Sequence, residues 1–299
     1  MGSSHSRTAC QAKGLLERLS LRLSLAPVIC GSMLFWATAP AIAGHSSECP
    51  VSEDIVIAAE DSFFPYSGFY QGELRGFAVD LINAAFNAEQ CSVILNVMPY
   101  NRCVRKVAQG RQLACFTTTG SDENRRNYIF HQTPLFFERV LVYSHPENTA
   151  EFDPDFFKNK TFSVVRGYTY TDAFDADETI AKVEVDSDLQ TLALTAKGRT
   201  DYAIVYEKVA AFHISNSQYL VSPAPIARHE LARLGLFVSF SKKMPERSKA
   251  VAAVLDRGLN AIHKDGTYGE IEANWDEWLQ HGLKEGRPAP HWESGQNAK

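Results

Sequence analysis

The chain has 299 residues, 45% of them hydrophobic, with 30 basic and 35 acidic side chains and a formal net charge of −5. An acidic balance with no basic stripe argues against nucleic acid or anionic lipid as a partner. The length allows one large domain or two lobes.

The first 43 residues read as a secretory signal peptide. Arg7, Lys13, Arg18 and Arg22 make a basic leader, residues 26–41 are mostly apolar and uncharged, and Ala41-Ile42-Ala43 is a small-x-small cleavage site. The apolar run is broken by Pro27, Gly31 and Pro40 and falls short of the ~20 residues a membrane span needs. The expected product is an exported, periplasmic protein. Cys49, Cys91, Cys103 and Cys115 follow the leader. An even number in an exported chain predicts disulfides, with three connectivities open. Cys49 precedes the first predicted strand and Cys91 opens the second, whereas Cys103 opens a helix and Cys115 lies in the next strand. That order favours 49–91 and 103–115. Zinc is the competing use, but no cysteine pair has C-x-x-C spacing and no histidine pair H-x-x-x-H spacing. No metal or cofactor is expected.

Residues 55–59 form a short apolar strand ending in Glu60 and an aromatic turn, Asp61-Ser62-Phe63-Phe64-Pro65-Tyr66. Gly72 and Gly76 bracket a hairpin-like turn. Phe77, Leu81, Ala84, Ala85 and Ala88 recur at helical period and predict a helix over 77–88. A strand at 92–97, a helix at 101–108 and a strand at 112–116 follow. Thr117-Thr118-Thr119-Gly120-Ser121-Asp122-Glu123-Asn124-Arg125 is then expected as a loop past a strand's C-terminal end, where open α/β sheets place ligands. An arginine there offers a planar fork to a carboxylate, and threonine hydroxyls can satisfy the remaining lone pairs. The competing reading is a solvated arginine in a turn. Strand–helix alternation at this spacing implies a parallel sheet covered on both faces.

After Pro134 the chain is apolar over 135–143. A second α/β series begins at 161–165, with Gly167-Tyr168-Thr169-Tyr170 opening a helix. It continues with a strand near Val183, a helix over 189–196 and a strand over 202–205, and the chain returns through 236–240. The last long helix, 247–263, should end at Gly266 as a glycine C-cap. His213, His229 and His263 show no partner pattern and read as solvated. Two such sets joined by two extended crossings, near 136–141 and 237–240, indicate two lobes around a cleft.

Six segments together resemble the periplasmic solute-binding proteins of the polar amino acid family, which serve ABC importers. They are Gly76-Phe77-Ala78-Val79-Asp80-Leu81, the loop from Thr117 to Arg125, Thr133-Pro134-Leu135-Phe136, Val165-Arg166-Gly167-Tyr168-Thr169, Gly198-Arg199-Thr200-Asp201, and Asp265-Gly266-Thr267-Tyr268-Gly269-Glu270-Ile271. Their order holds over roughly residues 53–276. The resemblance implies an α/β, two-lobed periplasmic-binding-protein fold, with two open, mostly parallel sheets joined by a two-crossing hinge. Lobe one would comprise 51–136 and 240–280, lobe two 137–239, and 281–299 a loose tail.

The resemblance also implies a site without covalent chemistry. Phe63 would stack on the ligand, Arg125 would clamp its carboxylate, and Thr117 and Thr118 would donate beside it. Tyr168 and Thr169 would close from the second lobe. Tyr100 is read as either a pocket wall or the cap of the helix it precedes. Tyr206 stands where amino acid binders carry the acid that holds the ligand's ammonium, with Glu207 next to it. Glu60 replaces the usual aspartate at the end of the first strand, and Gly120 stands where many members have serine. The implied partners are a small carboxylate-bearing solute and an inner-membrane ABC permease, with the protein a monomer. The rival readings are a cyclohexadienyl dehydratase-like enzyme, with Glu60 or Glu207 as its acid, and a ligand-sensing module for a membrane receptor.

Overall fold

A computed structural model of the chain describes residues 48–149, 157–216 and 222–293. The expected signal peptide lies outside the described residues. After β1 (Ile55–Glu60) the chain makes a small antiparallel sheet of β2 (Ser62–Phe63), β3 (Ser67–Tyr70) and β4 (Glu73–Arg75). Helix α1 (Phe77–Ala88) matches its predicted bounds, with Phe77, Leu81, Ala84 and Ala85 of the apolar set turned inward and Ala88, its last residue, exposed. Its first amides have no partners within the helix. Phe77 N donates to Pro65 O at 2.9 Å and Ala78 N to Tyr66 O at 3.0 Å, which ties the aromatic turn over the helix start. Gly76 makes this approach possible. Its φ is +150°, and a Cβ there would stand 2.1 Å from Tyr66 O.

Strands β5 (Val93–Met98) and β6 (Ala114–Thr119) flank β1, both parallel to it, with α2 (Tyr100–Ala108) between them. Tyr100, Cys103 and Val107 form the buried stripe of α2. The disulfides are Cys49–Cys91 and Cys103–Cys115, with Cα–Cα distances of 4.8 and 5.8 Å. Cys103 and Cys115 are both fully buried. Replacing both by alanine should cost about 3 kcal/mol, the chain-entropy value for so short a loop. Urea unfolding of the oxidised protein measures it, and an unchanged midpoint would remove the bond's assigned role.

Thr117–Thr119, expected in a loop, belong to β6 and are buried. Segment α3 (Asp122–Asn127) follows, capped by Ser121, whose hydroxyl accepts from Asn124 N. Arg125 is therefore a helical residue. Strand β7 (Tyr128–Phe130) leads to β8 (Phe136–Ser144). In the second series β9 (Thr161–Val165) lies between β10 (Ala181–Val185) and β11 (Tyr202–Tyr206), all parallel. Helix α4 (Asp172–Ala176) starts later than expected, with Thr171 as its cap, so residues 167–170 lie outside it. Helices α5 (Asp188–Ala196) and α6 (Glu207–Ser215) complete this lobe.

The long strand β12 (Ile226–Ser241) joins the lobes. It is antiparallel to β8 from Ile226 to Leu236 and then antiparallel to β6 from Leu236 to Phe240. The strand order is β10-β9-β11-β8-β12-β6-β1-β5, so two mostly parallel sets meet on an antiparallel pair. The change of partner falls at Leu236, opposite Phe136. Residues 237–240 thus sit inside the first lobe's sheet.

Helix α7 (Pro245–Asp265) ends at Gly266, which takes the left-handed conformation expected of its C-cap. Helix α8 (Thr267–Glu277) runs into a π-helical turn, Trp278–Gly282, and α9 (Leu283–Glu285). Of the tail expected to be loose, residues 281–293 are described. Trp278 Nε1 donates to Arg287 O at 3.0 Å, His291 Nδ1 lies 3.6 Å from Asp80, and Trp292 packs on the core.

Candidate functional site

Glu60, the last residue of β1, points into the junction of the lobes and is 2% exposed. The Tyr168 hydroxyl, from the turn after β9, donates to Glu60 Oε1 at 2.6 Å. Thr117 of β6 donates to Glu60 Oε2 at 3.4 Å. The same Tyr168 oxygen lies 3.4 Å from Asp188 Oδ2, at the first turn of α5. A phenol has one proton to give. With that proton on Glu60, the Asp188 contact is a hydrogen bond only when Asp188 is protonated and donates to the phenol oxygen. Asp188 is 1% exposed, and its Oδ1 is buried with no hydrogen-bond partner among the described residues.

Burial raises both carboxyls. Glu60 is held well above the usual carboxylate range by desolvation, with the Tyr168 hydrogen bond opposing. Asp188 is pushed up to about 7 by desolvation, against the same hydrogen bond. Rings wall the pair in. Phe63 lies edge-on to Tyr206 at 5.1 Å and to Tyr168 at 6.0 Å, and Tyr100 stands 5.0 Å from Tyr168.

The lobes also touch nearby. The Thr169 hydroxyl accepts from Asn124 Nδ2 at 2.9 Å and shares a short hydrogen bond with the Thr119 hydroxyl. At the far side of the hairpin Phe64 packs on Phe212 of α6 at 4.7 Å, and Lys208 Nζ meets Asp276 at 2.5 Å.

The structure therefore brings Glu60, Phe63, Tyr100, Thr117, Tyr168 and Tyr206 together. It uses Thr118 internally, bonded to the Ser239 hydroxyl at 2.8 Å and fully buried. Arg125 is held differently. Its Nε donates to Gly120 O at 3.0 Å, and its guanidinium lies 5.4 and 5.5 Å from the rings of Phe130 and Phe237. A Cβ on Gly120 would stand 2.7 Å from Arg125 Nη2, so the absence of a side chain leaves room for this fold-back. Arg125 lines an open cleft of about 420 Å³ with Tyr170, Asp172 and Arg233.

Glu207, expected as a substitute acid beside Tyr206, faces away, and its carboxylate receives Arg139 Nη1 at 2.9 Å on the surface. Asp188 is the residue that sequence reasoning missed. Ser187-Asp188 reads as an ordinary helix start, and Ser187 does accept from Gln190 N as the cap of α5. No local signal marks the aspartate as buried. His213, read as solvated, is 7% exposed, and desolvation lowers it to about 4.

Residues 55–277 match the family described as bacterial extracellular solute-binding proteins, family 3. The arginine-binding periplasmic protein of Mannheimia haemolytica is 23% identical over 243 residues, 76% of this chain and 92% of that protein. A histidine kinase sensor domain with similarity to periplasmic binding proteins superposes with a TM-score of 0.65 at 17% identity, covering 75% of this chain and 96% of that one. The arginine-, lysine-, histidine-binding protein ArtJ from Geobacillus stearothermophilus gives 0.64 at 18%, covering 77% and 100%. The two structural likenesses bear on the fold alone.

Proposed function

Because the chain belongs to the bacterial extracellular solute-binding proteins, family 3, we propose that it captures a small amino acid or amino acid derivative in the periplasm for an inner-membrane ABC permease. One observation carries this reading: Tyr168 of the second lobe, itself half-buried, bonds the buried Glu60 of the first across an aromatic junction with Phe63, Tyr100 and Tyr206. Contacts that exist only between lobes are what hinge closure around a solute requires. The change of partner of β12, with Leu234–Leu236 opposite Phe136–Glu138, supports a hinge at this point. Two buried acids and a ring of phenols suit a ligand that carries an ammonium or guanidinium. The arginine-binding relative supports that choice. Arg125, at the mouth of the cleft, is the group for the ligand's carboxylate.

Thermal shift of residues 44–299 against amino acids, betaines, polyamines and small organic acids tests the reading. A ligand at a hundredfold excess over Kd stabilises the folded state by about 2.7 kcal/mol. Phe63→Ala should weaken the best ligand at least tenfold, because it removes the ring that faces both Tyr168 and Tyr206. Silence from every class in the panel would sink the proposal. A second reading rests on the same acids. A dehydratase needs a cleft acid that stays protonated against a leaving hydroxyl, and burial holds Glu60 and Asp188 in that form. Product formation from a cyclohexadienyl acid would favour it.

A further inference from the structure

We propose that Asp188 takes the cationic group of the ligand, and that the Tyr168 hydroxyl holds the place between Glu60 and Asp188 that this group occupies on binding. The inference rests on the solute-binding reading above and names a specificity-determining residue within it. The position that carries the ammonium-binding acid in amino acid binders by resemblance is Tyr206 here, a buried phenol that cannot supply a negative charge at neutral pH. Glu207 is spent on Arg139. Asp188 reaches the same aromatic chamber from a different element, the N-terminal turn of α5.

Three geometric facts converge on it. Asp188 is 1% exposed, and its Oδ1 is a buried oxygen without a hydrogen-bond partner among the described residues. A buried carboxylate oxygen left unpaired is costly and is ordinarily satisfied. Its other oxygen is 3.4 Å from the Tyr168 hydroxyl, whose shorter bond goes to Glu60. The single phenol proton goes to Glu60 and gives Asp188 no donor, whereas an ammonium brings three donors and a guanidinium five. A cation that displaces the Tyr168 hydroxyl would meet Asp188 Oδ2 and keep Glu60 Oε1 paired, with donors to spare for Asp188 Oδ1.

The chamber selects charge as well as donors. Besides Asp188, the groups acting on Glu60 are Tyr168, Asp61 and Thr117. Tyr168 is acted on by both acids and by Tyr206, while Tyr170 and Tyr206 also feel both acids. All of these are acids, phenols or hydroxyls. The pair is protonated more readily than ordinary carboxyls, so cation binding must release a proton from it. Affinity for a cation then falls as the pH falls.

The test is titration calorimetry of residues 44–299 with L-arginine and its neutral isostere L-citrulline, in phosphate and in Tris at pH 7. Arginine should bind at least a hundredfold more tightly than citrulline, with a buffer-dependent heat that reports proton release. Asp188→Asn should lose at least tenfold in arginine affinity and most of the proton release, while citrulline affinity stays within threefold. In the unaltered protein, which needs no variant to fold, the arginine Kd should rise about tenfold per pH unit from pH 6 to pH 5. Unchanged arginine affinity in Asp188→Asn, or equal loss for both ligands, overturns the assignment. So does a pH-independent Kd. A protein that prefers neutral or acidic solutes would refute the role of Asp188 and leave the solute-binding reading standing. If no solute of any class binds, both fall.

Discussion

Gly258→Ala should destabilise the protein by about 3 kcal/mol, at the upper end of what overpacking usually costs. Gly258 lies on the buried face of α7, where that helix packs against α1. A Cβ there would stand 2.0 Å from Ala85 O and 2.6 Å from Ala85 C. Both are backbone atoms, so no side chain can rotate to make room and the helices must separate. The consequence reaches the site, because α1 anchors the turn that carries Phe63 through the Phe77 and Ala78 amides. Gly269→Ala is the control. It sits in α8 with nothing among the described residues within 4 Å of the new methyl group, and alanine should gain about 1 kcal/mol through helix propensity. Urea unfolding of both variants reads the difference directly. If Gly258→Ala unfolds within 0.5 kcal/mol of the parent, the close α1–α7 contact is wrong.

Acidification from pH 8 to about pH 5.5 should stabilise the protein, against the usual expectation for a chain rich in carboxylates. Asp188 rises from 3.8 to about 7 on folding, so the folded state holds a proton that the unfolded state has lost. A raised acid contributes stability that is fully present below its unfolded value and disappears as the pH climbs through the folded one. At about 1.4 kcal/mol per unit, Asp188 alone accounts for up to roughly 4 kcal/mol between pH 4 and pH 8. Asp80 and Asp175, each raised to about 6 chiefly by desolvation, act in the same direction over pH 4 to 6. His213 opposes them. Its value is lowered to about 4, so its contribution is present above the ordinary histidine value and is lost as the pH falls towards 4. Asp256, lowered by His131 3.6 Å away and by hydrogen bonds from the Thr133 and Gln132 amides, also loses its contribution in acid. The balance places the maximum near pH 5 to 6. Thermal melts across pH 5 to 8 should show it, and Asp188→Asn should flatten the slope. A melting temperature that climbs steadily from pH 5 to pH 8 would contradict the buried-acid arrangement.

Both results bear on how the site is built. The aromatic turn carrying Phe63 is held by backbone hydrogen bonds that need glycine at position 76. The acids it covers are raised by that cover. Loss of packing in the first lobe and loss of protonation in the junction should therefore be measurable separately, one by unfolding and the other by its pH dependence.

Much of this architecture is legible in short stretches of sequence. The spacing of Phe77, Leu81 and Ala84–Ala85 defines α1, five apolar or small residues define β9, and Gly266 ends α7. These features depend on neighbours within one or two turns, and periodicity and capping chemistry are local. Cysteine order works for a related reason: the parallel neighbours β1 and β5 bring Cys49 to Cys91, and the packing of α2 on the strand that follows it brings Cys103 to Cys115. The bounds of β6 were less legible. Thr117-Thr118-Thr119 is polar enough to read as a loop, yet Thr118 is matched by Ser239 on β12, a strand far along the chain.

The sequence by itself determined the family, the α/β order of elements and the residue types at positions 60, 63, 168 and 206; it favoured one pairing of the cysteines, which the structure has. Only the tertiary structure decided which acids serve the junction. Glu207 and Asp188 are equally plain carboxylates in the sequence. One meets Arg139 in solvent, and the other is buried beside a phenol that bridges to Glu60 across 108 residues. The physical reason is that a carboxylate's charge state depends on desolvation and on the donors facing it. Those are set by whichever strands and helices the fold brings together, not by the residues on either side of it in the chain.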